Sequence, residues 1–190
     1  MRIVIVGLGS MGRRRARLLQ EIGGQDLVGV DLSEERQLQA QQELGIPTYG
    51  SLEAAVAAVD PEAAVISTGP RSHASIVSDC LDNGLHVFTE LNLIDDGYVQ
   101  NIAKAKDKGL IWFPSSTFVY RREIEAIQEI VAEKGALGAW TYHVGQYLPD
   151  WHPWEDYKNF FVADERTSGI RDRRGLSCCS KDKQTRSFLQ

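Results

Sequence analysis

The 190 residues carry 21 Lys/Arg against 26 Asp/Glu, a formal net charge of −5. Neutralising nucleic-acid phosphates needs a basic face, so this balance argues against nucleic acid as a partner. With 43% hydrophobic residues the chain has material for one sizeable core and part of a second. No apolar run approaches the roughly 20 residues needed to span a bilayer. Met1-Arg2 and the apolar run after it lack a small-residue cleavage site, because Arg13-Arg14-Arg15 stands where one would lie, so a signal peptide is not expected. Cys80 is alone, and Cys178-Cys179 lack the two-residue gap that lets two thiolates share a zinc. A reduced, cytoplasmic compartment and no metal follow as expectations.

Taken in chain order, Ile3-Val4-Ile5-Val6 is a β-branched run ending in glycine, the pattern of a strand buried on both faces. A helix over 10–22 follows, with Ala16, Leu18, Leu19 and Ile22 as its apolar positions, and Gly23-Gly24 stops it. Residues 27–30 read as the next strand. Ser33 can cap a helix running to Leu44, which Gly45 and Pro47 close. Ser51 opens a short Ala/Val helix broken at Asp60-Pro61. Further strands are expected over 63–67, 85–89 and 110–114, separated by helices over 72–83 and 95–108. Strands alternating with helices at these intervals mean βαβ units and a parallel sheet covered on both faces. From Tyr120 to Lys134 the period is helical, with Ile124, Ile127 and Ile130-Val131 on one stripe. It then switches to two, with Trp140, Tyr142, Val144, Gln146 and Leu148 on one face, as at the start of a different sheet.

Gly7-Leu8-Gly9-Ser10-Met11-Gly12 is a G-x-G-x-x-G between strand and helix, inside a βαβ unit at the N-terminus. There the first glycine permits the tight turn, the second lets the backbone approach a pyrophosphate, and the third lets the helix pack on the strand. The positive dipole end of the helix then faces the phosphates. Asp31 stands 19 residues after Gly12 at the end of the second strand. A carboxylate there accepts from the adenosine ribose hydroxyls and repels a 2′-phosphate, so NAD is expected over NADP, with Arg36 nearby to offset part of the repulsion. Thr68-Gly69-Pro70-Arg71-Ser72-His73 lies at the carboxyl edge, where ligands bind in open α/β sheets. Thr68 is a cofactor candidate; Ser72 and His73, near a helix start, could touch the cofactor, and His73 reads equally as a capping or surface histidine.

Together with His86-Val87-Phe88-Thr89-Glu90, these two motifs resemble the Gfo/Idh/MocA oxidoreductases over residues 1 to about 115, and more faintly to about Phe161. The resemblance implies an NAD(P)-binding Rossmann domain, a C-terminal α/β domain with a large open sheet, and hydride transfer at hydroxyl carbons of sugars or cyclitols. It places Glu90 beside the nicotinamide ribose, and its nearest flavour is a branch associated with surface-polysaccharide sugars. Family members usually carry Glu-Lys-Pro after the strand that here spans 85–89, whereas this chain reads Glu90-Leu91-Asn92. Leucine cannot move a proton, so the lysine's role does not transfer to Leu91. The Asp and His that the family's second domain supplies have no clear counterpart.

The expected organisation is therefore doubly wound α/β: a Rossmann domain over 1–117, the start of an α/β substrate domain over 118–164, and a tail over 165–190. Trp151-His152-Pro153-Trp154 could stack on a sugar or fill a core. His143 and His152 are the candidates for an acid or base, against the plainer reading of structural or exposed histidines. The tail carries 7 Lys/Arg against 3 Asp/Glu and no apolar period, as a frameshift or premature stop would produce; a basic binding arm is the alternative. Association of copies through the second sheet is expected only if that sheet is complete. Two functions stand side by side: a sugar or cyclitol oxidoreductase by descent, inactive if the piece is incomplete, and a non-catalytic dinucleotide-binding sensor or partner module.

Overall fold

The computed structural model describes residues 1–90, 94, 96–135, 147, 150, 156 and 158. Contacts divide the chain into two units, Met1–Ser116 and Thr117–Gln190. In the first, the elements are β1 (Arg2–Val6), α1 (Ser10–Ile22), β2 (Asp26–Val30), α2 (Glu34–Leu44), β3 (Thr48–Tyr49), α3 (Leu52–Val59), β4 (Ala63–Ile66), α4 (His73–Asp82), β5 (His86–Glu90), α5 (Tyr98–Asp107) and β6 (Trp112–Ser115). All strand pairs are parallel and the order is β3-β2-β1-β4-β5-β6. The order reverses direction between β1 and β4, which makes the gap above their carboxyl ends the place where open α/β sheets take ligands.

Each strand alternates its side chains between two cores, because successive residues point to opposite faces. Val4, Val6, Val28, Val30, Ala64, Ile66 and Val87 meet Leu52 and Ala55 of α3, Val77, Cys80 and Leu81 of α4, and Ala105 of α5. On the other face Ile3, Ile5, Leu27 and Val65 meet Ala16 of α1 and Ala40 and Leu44 of α2. Ile5 and Ile66 are fully buried, each contributing about 1.5–3 kcal/mol by leaving water. Cys80 sits in the first core, where burial pushes its thiol pKa up to about 12, so it behaves as a small hydrophobe.

Helix starts follow local chemistry. Ser33 and Ser51 accept from the N–H groups of Arg36 and Ala54, as N-caps do. Asp60, at φ 45, ends α3 as the only non-glycine residue with positive φ among the described residues. Several expectations need correction. Leu18 and Ile22 are exposed, Ile22 by 73%; α1 instead buries Gly12 and Ala16, because one turn of 3.6 residues carries Leu18 and Ile22 round to the outer side. The fifth helix begins at Tyr98 and not near Asp95, since Gly97 adopts φ 75 immediately before it. The last strand runs Trp112–Ser115, shifted towards the C-terminus, and keeps Pro114 because an edge strand tolerates a missing N–H. The two-residue β3 was too short to leave a period.

In the second unit a 3₁₀ turn spans Thr117–Tyr120 and α6 spans Arg122–Lys134. Glu123 and Glu125 in its first turn and Lys134 in its last complement the helix dipole. It buries no residue fully: Ile130 and Val131, expected on its apolar stripe, are exposed. The period-two stretch over 140–148, the loop Trp151-His152-Pro153-Trp154 and the tail over 165–190 lie outside the described residues, apart from Tyr147.

Candidate cofactor site

The site begins where β1 hands over to α1. Gly7 turns the chain at φ 92, and a Cβ on it would stand 2.8 Å from the Ser67 carbonyl oxygen, so both conformation and space demand glycine. Gly12 is more constrained still, since a Cβ there would fall 1.8 Å from the Gly7 carbonyl oxygen. Gly9 differs: a Cβ there would meet nothing within 4 Å. Gly9 is also the N-cap of α1 and offers no side-chain oxygen, so the first-turn N–H groups of Ser10, Met11 and Gly12 have no side-chain cap. Open space in front of uncapped N–H groups at the positive end of a 13-residue helix fits an anion such as a pyrophosphate.

Leu8 contributes differently from its neighbours in the motif. Its side chain is fully buried against β2, where a Cβ on Gly29 would collide with both Leu8 methyls at 2.9 Å. Its N–H donates to Asp31 Oδ2 at 2.8 Å. Asp31 Oδ1 accepts from the Ser33 N–H at 2.9 Å, and Gln37 donates to the Asp31 carbonyl at 2.8 Å. The acid is thus clamped by two backbone donors, its side chain only 8% exposed, with lone pairs left over for hydroxyl donors. Arg36 lies 3.8 Å from Oδ2 and is 57% exposed, close enough to weaken the negative field without occupying the carboxylate. Next to it Leu32 is 92% exposed, an apolar side chain standing open beside the acid.

Across the switch point, Ser72 donates to Thr68 Oγ1 at 2.8 Å, knitting the turn after β4. His73 is buried, and its Nε2 lies 3.0 Å from the Thr68 carbonyl oxygen. A carbonyl can only accept, so Nε2 carries the proton. Burial lowers the imidazole pKa most; the Thr68 bond raises it and the nearby Arg15 charge lowers it. The surface reading of this histidine is therefore ruled out.

Glu90 ends β5, and its carboxylate pairs with Arg15 of α1, whose guanidinium also lies over the Phe88 ring at 4.7 Å. Desolvation, with Arg14 adding to it, lowers the Arg15 pKa from its ordinary value, and so far from neutrality the group remains a cation. Arg15 was not among the residues expected from sequence. Its signal was there: Gly12, Arg15, Ala16 and Leu19 follow the i, i+3, i+4, i+7 stripe that faces the sheet, so an arginine occupies a core-facing position. Leu32 was equally legible as an apolar residue between the acid and a helix cap. Leu91, His143 and His152 lie outside the described residues. Among the described residues no cluster of three His, Cys, Asp or Glu could hold a metal, and no helix is long and apolar enough to cross a membrane.

Comparison with known proteins agrees with this geometry. Residues 1–94 match the Gfo/Idh/MocA oxidoreductase family, described by its NAD-binding Rossmann fold. Among solved structures, GenD2 from gentamicin A biosynthesis, in complex with NAD, is 25% identical with a TM-score of 0.67 over 73% of this chain and 41% of that one. Myo-inositol 2-dehydrogenase from Lactobacillus plantarum is 27% identical with a TM-score of 0.64 over 76% of this chain and 44% of its own. KijD10, a 3-ketoreductase from Actinomadura kijaniata in complex with NADP, shares the fold at 19% identity and a TM-score of 0.63, over 70% and 42%. The chain thus spans about two fifths of the length of these structures. No curated protein sequence matches significantly. Residues 1–94 are an NAD-binding Rossmann domain of the Gfo/Idh/MocA oxidoreductase family.

Proposed function

We propose that this chain binds NAD across the carboxyl ends of β2, β1, β4 and β5, and that the whole protein transfers hydride at a hydroxyl carbon of a sugar or cyclitol. The observation that carries the first part is the open space at Gly9 in front of the uncapped start of α1, flanked by the clamped Asp31. With the pyrophosphate there, strand order supports a reading of the two halves. The adenosine half lies towards β2, where Asp31 accepts from its ribose hydroxyls and Leu32 offers an apolar surface to the base. The other half lies towards β4 and β5, past Thr68 and His73 to Glu90. Ser10, Met11 and Gly12 hold the phosphates through their backbone N–H groups.

Asp31 favours NAD over NADP, since a 2′-phosphate would bring two negative charges against a carboxylate that cannot turn away from Leu8 and Ser33. When bound, NAD supplies a hydride acceptor. The protein's share is orientation, plus a group to take the hydroxyl proton. Leu91 cannot be that group, and His143 and His152 are the candidates for it. The substrate class is supported by the kinship with an enzyme of inositol and by the family of residues 1–94. The buried thiol of Cys80 fits a reducing, cytoplasmic setting.

The second reading, a dinucleotide-binding module without turnover, is favoured by Leu91, which cannot move a proton. Calorimetric titration with NAD and NADP, followed by a screen for NADH formation over sugars and cyclitols, separates the two. Tighter binding of NAD with turnover of a cyclitol or sugar supports the enzyme, and NAD binding without turnover of any supports the module. No binding of either dinucleotide would overturn both.

A further inference from the structure

We propose that Arg15 is a positioning residue for the non-adenosine half of the dinucleotide: clamped over Phe88 and paired with Glu90, it fixes the Glu90 carboxylate at the end of β5. This rests on the cofactor reading above. Period two places Phe88 and Glu90 on one face of the sheet, the face that α1 covers, since Phe88 pairs in register with Val65 and packs with the Ile5 and Ala16 core. Arg15 projects from the sheet-facing stripe of α1 into this corner and reaches both residues at once.

A purely structural role explains the arrangement poorly. Burying a guanidinium costs desolvation energy, and buried ion pairs are on balance weak contributors to stability compared with apolar packing. Arg15 Nε is itself buried with no hydrogen-bond partner among the described residues, so the cation is not fully compensated. Phe88 is matched by the Phe113 ring at 5.9 Å and would pack as well against a methionine or leucine. What only a cation provides is a single direction for the Glu90 carboxylate, which remains 30% exposed at the carboxyl edge. Neighbouring strands lie about 4.8 Å apart, so Glu90, two strands from β1, stands about 10 Å from the phosphate cradle, while Asp31 is one strand away on the opposite side. A ligand ending at its second phosphate cannot reach Glu90, whereas a full dinucleotide can.

That difference supplies the test. NAD and ADP are titrated by calorimetry into the full chain and into Arg15→Gln, Arg15→Lys, Glu90→Gln and the Arg15→Gln/Glu90→Gln pair. Arg15→Gln should weaken NAD about tenfold, the order expected for a hydrogen bond to a charged group, and leave ADP within about twofold. Arg15→Lys should recover part of the loss, and Arg15→Gln should add little once Glu90 is already Gln. Equal weakening of NAD and ADP, unchanged NAD binding, or undiminished weakening in the Glu90→Gln background would each overturn the proposal. If Arg15→Gln does not fold, Glu90→Gln carries the same split between NAD and ADP, and its absence there is equally decisive. A wild-type chain that bound neither ligand would overturn the cofactor reading, and this inference with it.

Discussion

Two carboxylates mark the ends of the site, and the protein holds them by different means. Asp31, on the β2 side, is clamped by backbone N–H groups of Leu8 and Ser33. Glu90, on the β5 side, is held by a side chain from a helix 75 residues earlier. Backbone donors are fixed by the turns that carry them, so Asp31 comes into place once β2 has paired beside β1. A side-chain cation must be packed into its direction, so Glu90 depends on α1 docking at the right depth. The first end is local and robust. The second is tertiary.

The glycines of the loop test where that robustness comes from. Gly12→Val should have the largest effect, because even its Cβ would lie 1.8 Å from the Gly7 carbonyl oxygen and α1 could not stay docked. Overpacking of this kind costs about 1–3 kcal/mol and occasionally more; backbone rather than a yielding side chain opposes it here, so the upper end or beyond is expected in urea melts. Both ends of the site should fail together. Gly9→Val meets open space and should fold with an unchanged midpoint, yet lose NAD affinity by a few kcal/mol through a blocked phosphate path and lost charge-assisted bonds. A folded Gly9→Val that binds NAD as the parent does would remove the cradle.

The acid itself gives a smaller and more selective effect. Asp31→Ala leaves the Leu8 and Ser33 N–H groups without their acceptor, at a cost of about 1–3 kcal/mol in stability. The ratio of NAD to NADP affinity cancels that shared cost. It should fall in Asp31→Ala, rise in Arg36→Ala, where the offsetting charge is gone, and stay level in Glu90→Gln. A ratio that moved in Glu90→Gln would mean the two ends are not separate.

The same contrast explains what could be read from sequence. Glycine spacing, β-branched runs and the 19-residue gap to Asp31 are local patterns, and they led correctly to a parallel sheet of Rossmann type and to the start of α1. Patterns failed where neighbours decide. Leu18 and Ile22 look like core but face outward, because glycine and alanine, not leucine, bring α1 close to the sheet. Arg15 looks like one member of a basic block until Phe88 and Glu90 are placed beside it. His73 was ambiguous because a histidine near a helix start is buried or exposed according to the fold of the preceding turn.

That histidine supplies the smallest expected effect, and it lies between the two ends. Burial lowers the His73 pKa below its ordinary value of 6.5 in the folded chain, with the Arg15 charge acting in the same sense and the Thr68 carbonyl opposing. The unfolded chain therefore binds the proton more readily than the folded one. Stability from this group is fully present above pH 6.5 and is lost as pH falls below it, levelling off beneath the lowered folded value. Urea midpoints taken from pH 7.5 down to 5.5 should decline with acid, and His73→Gln should flatten that decline by removing the buried group that must take up the proton. Arg15→Gln should flatten it only slightly, since Arg15 is the least of the three influences on the imidazole. If Arg15→Gln abolished the acid slope altogether, the Arg15 charge would govern the centre of the site as well as its β5 end, and the separation between a local and a tertiary half would fail.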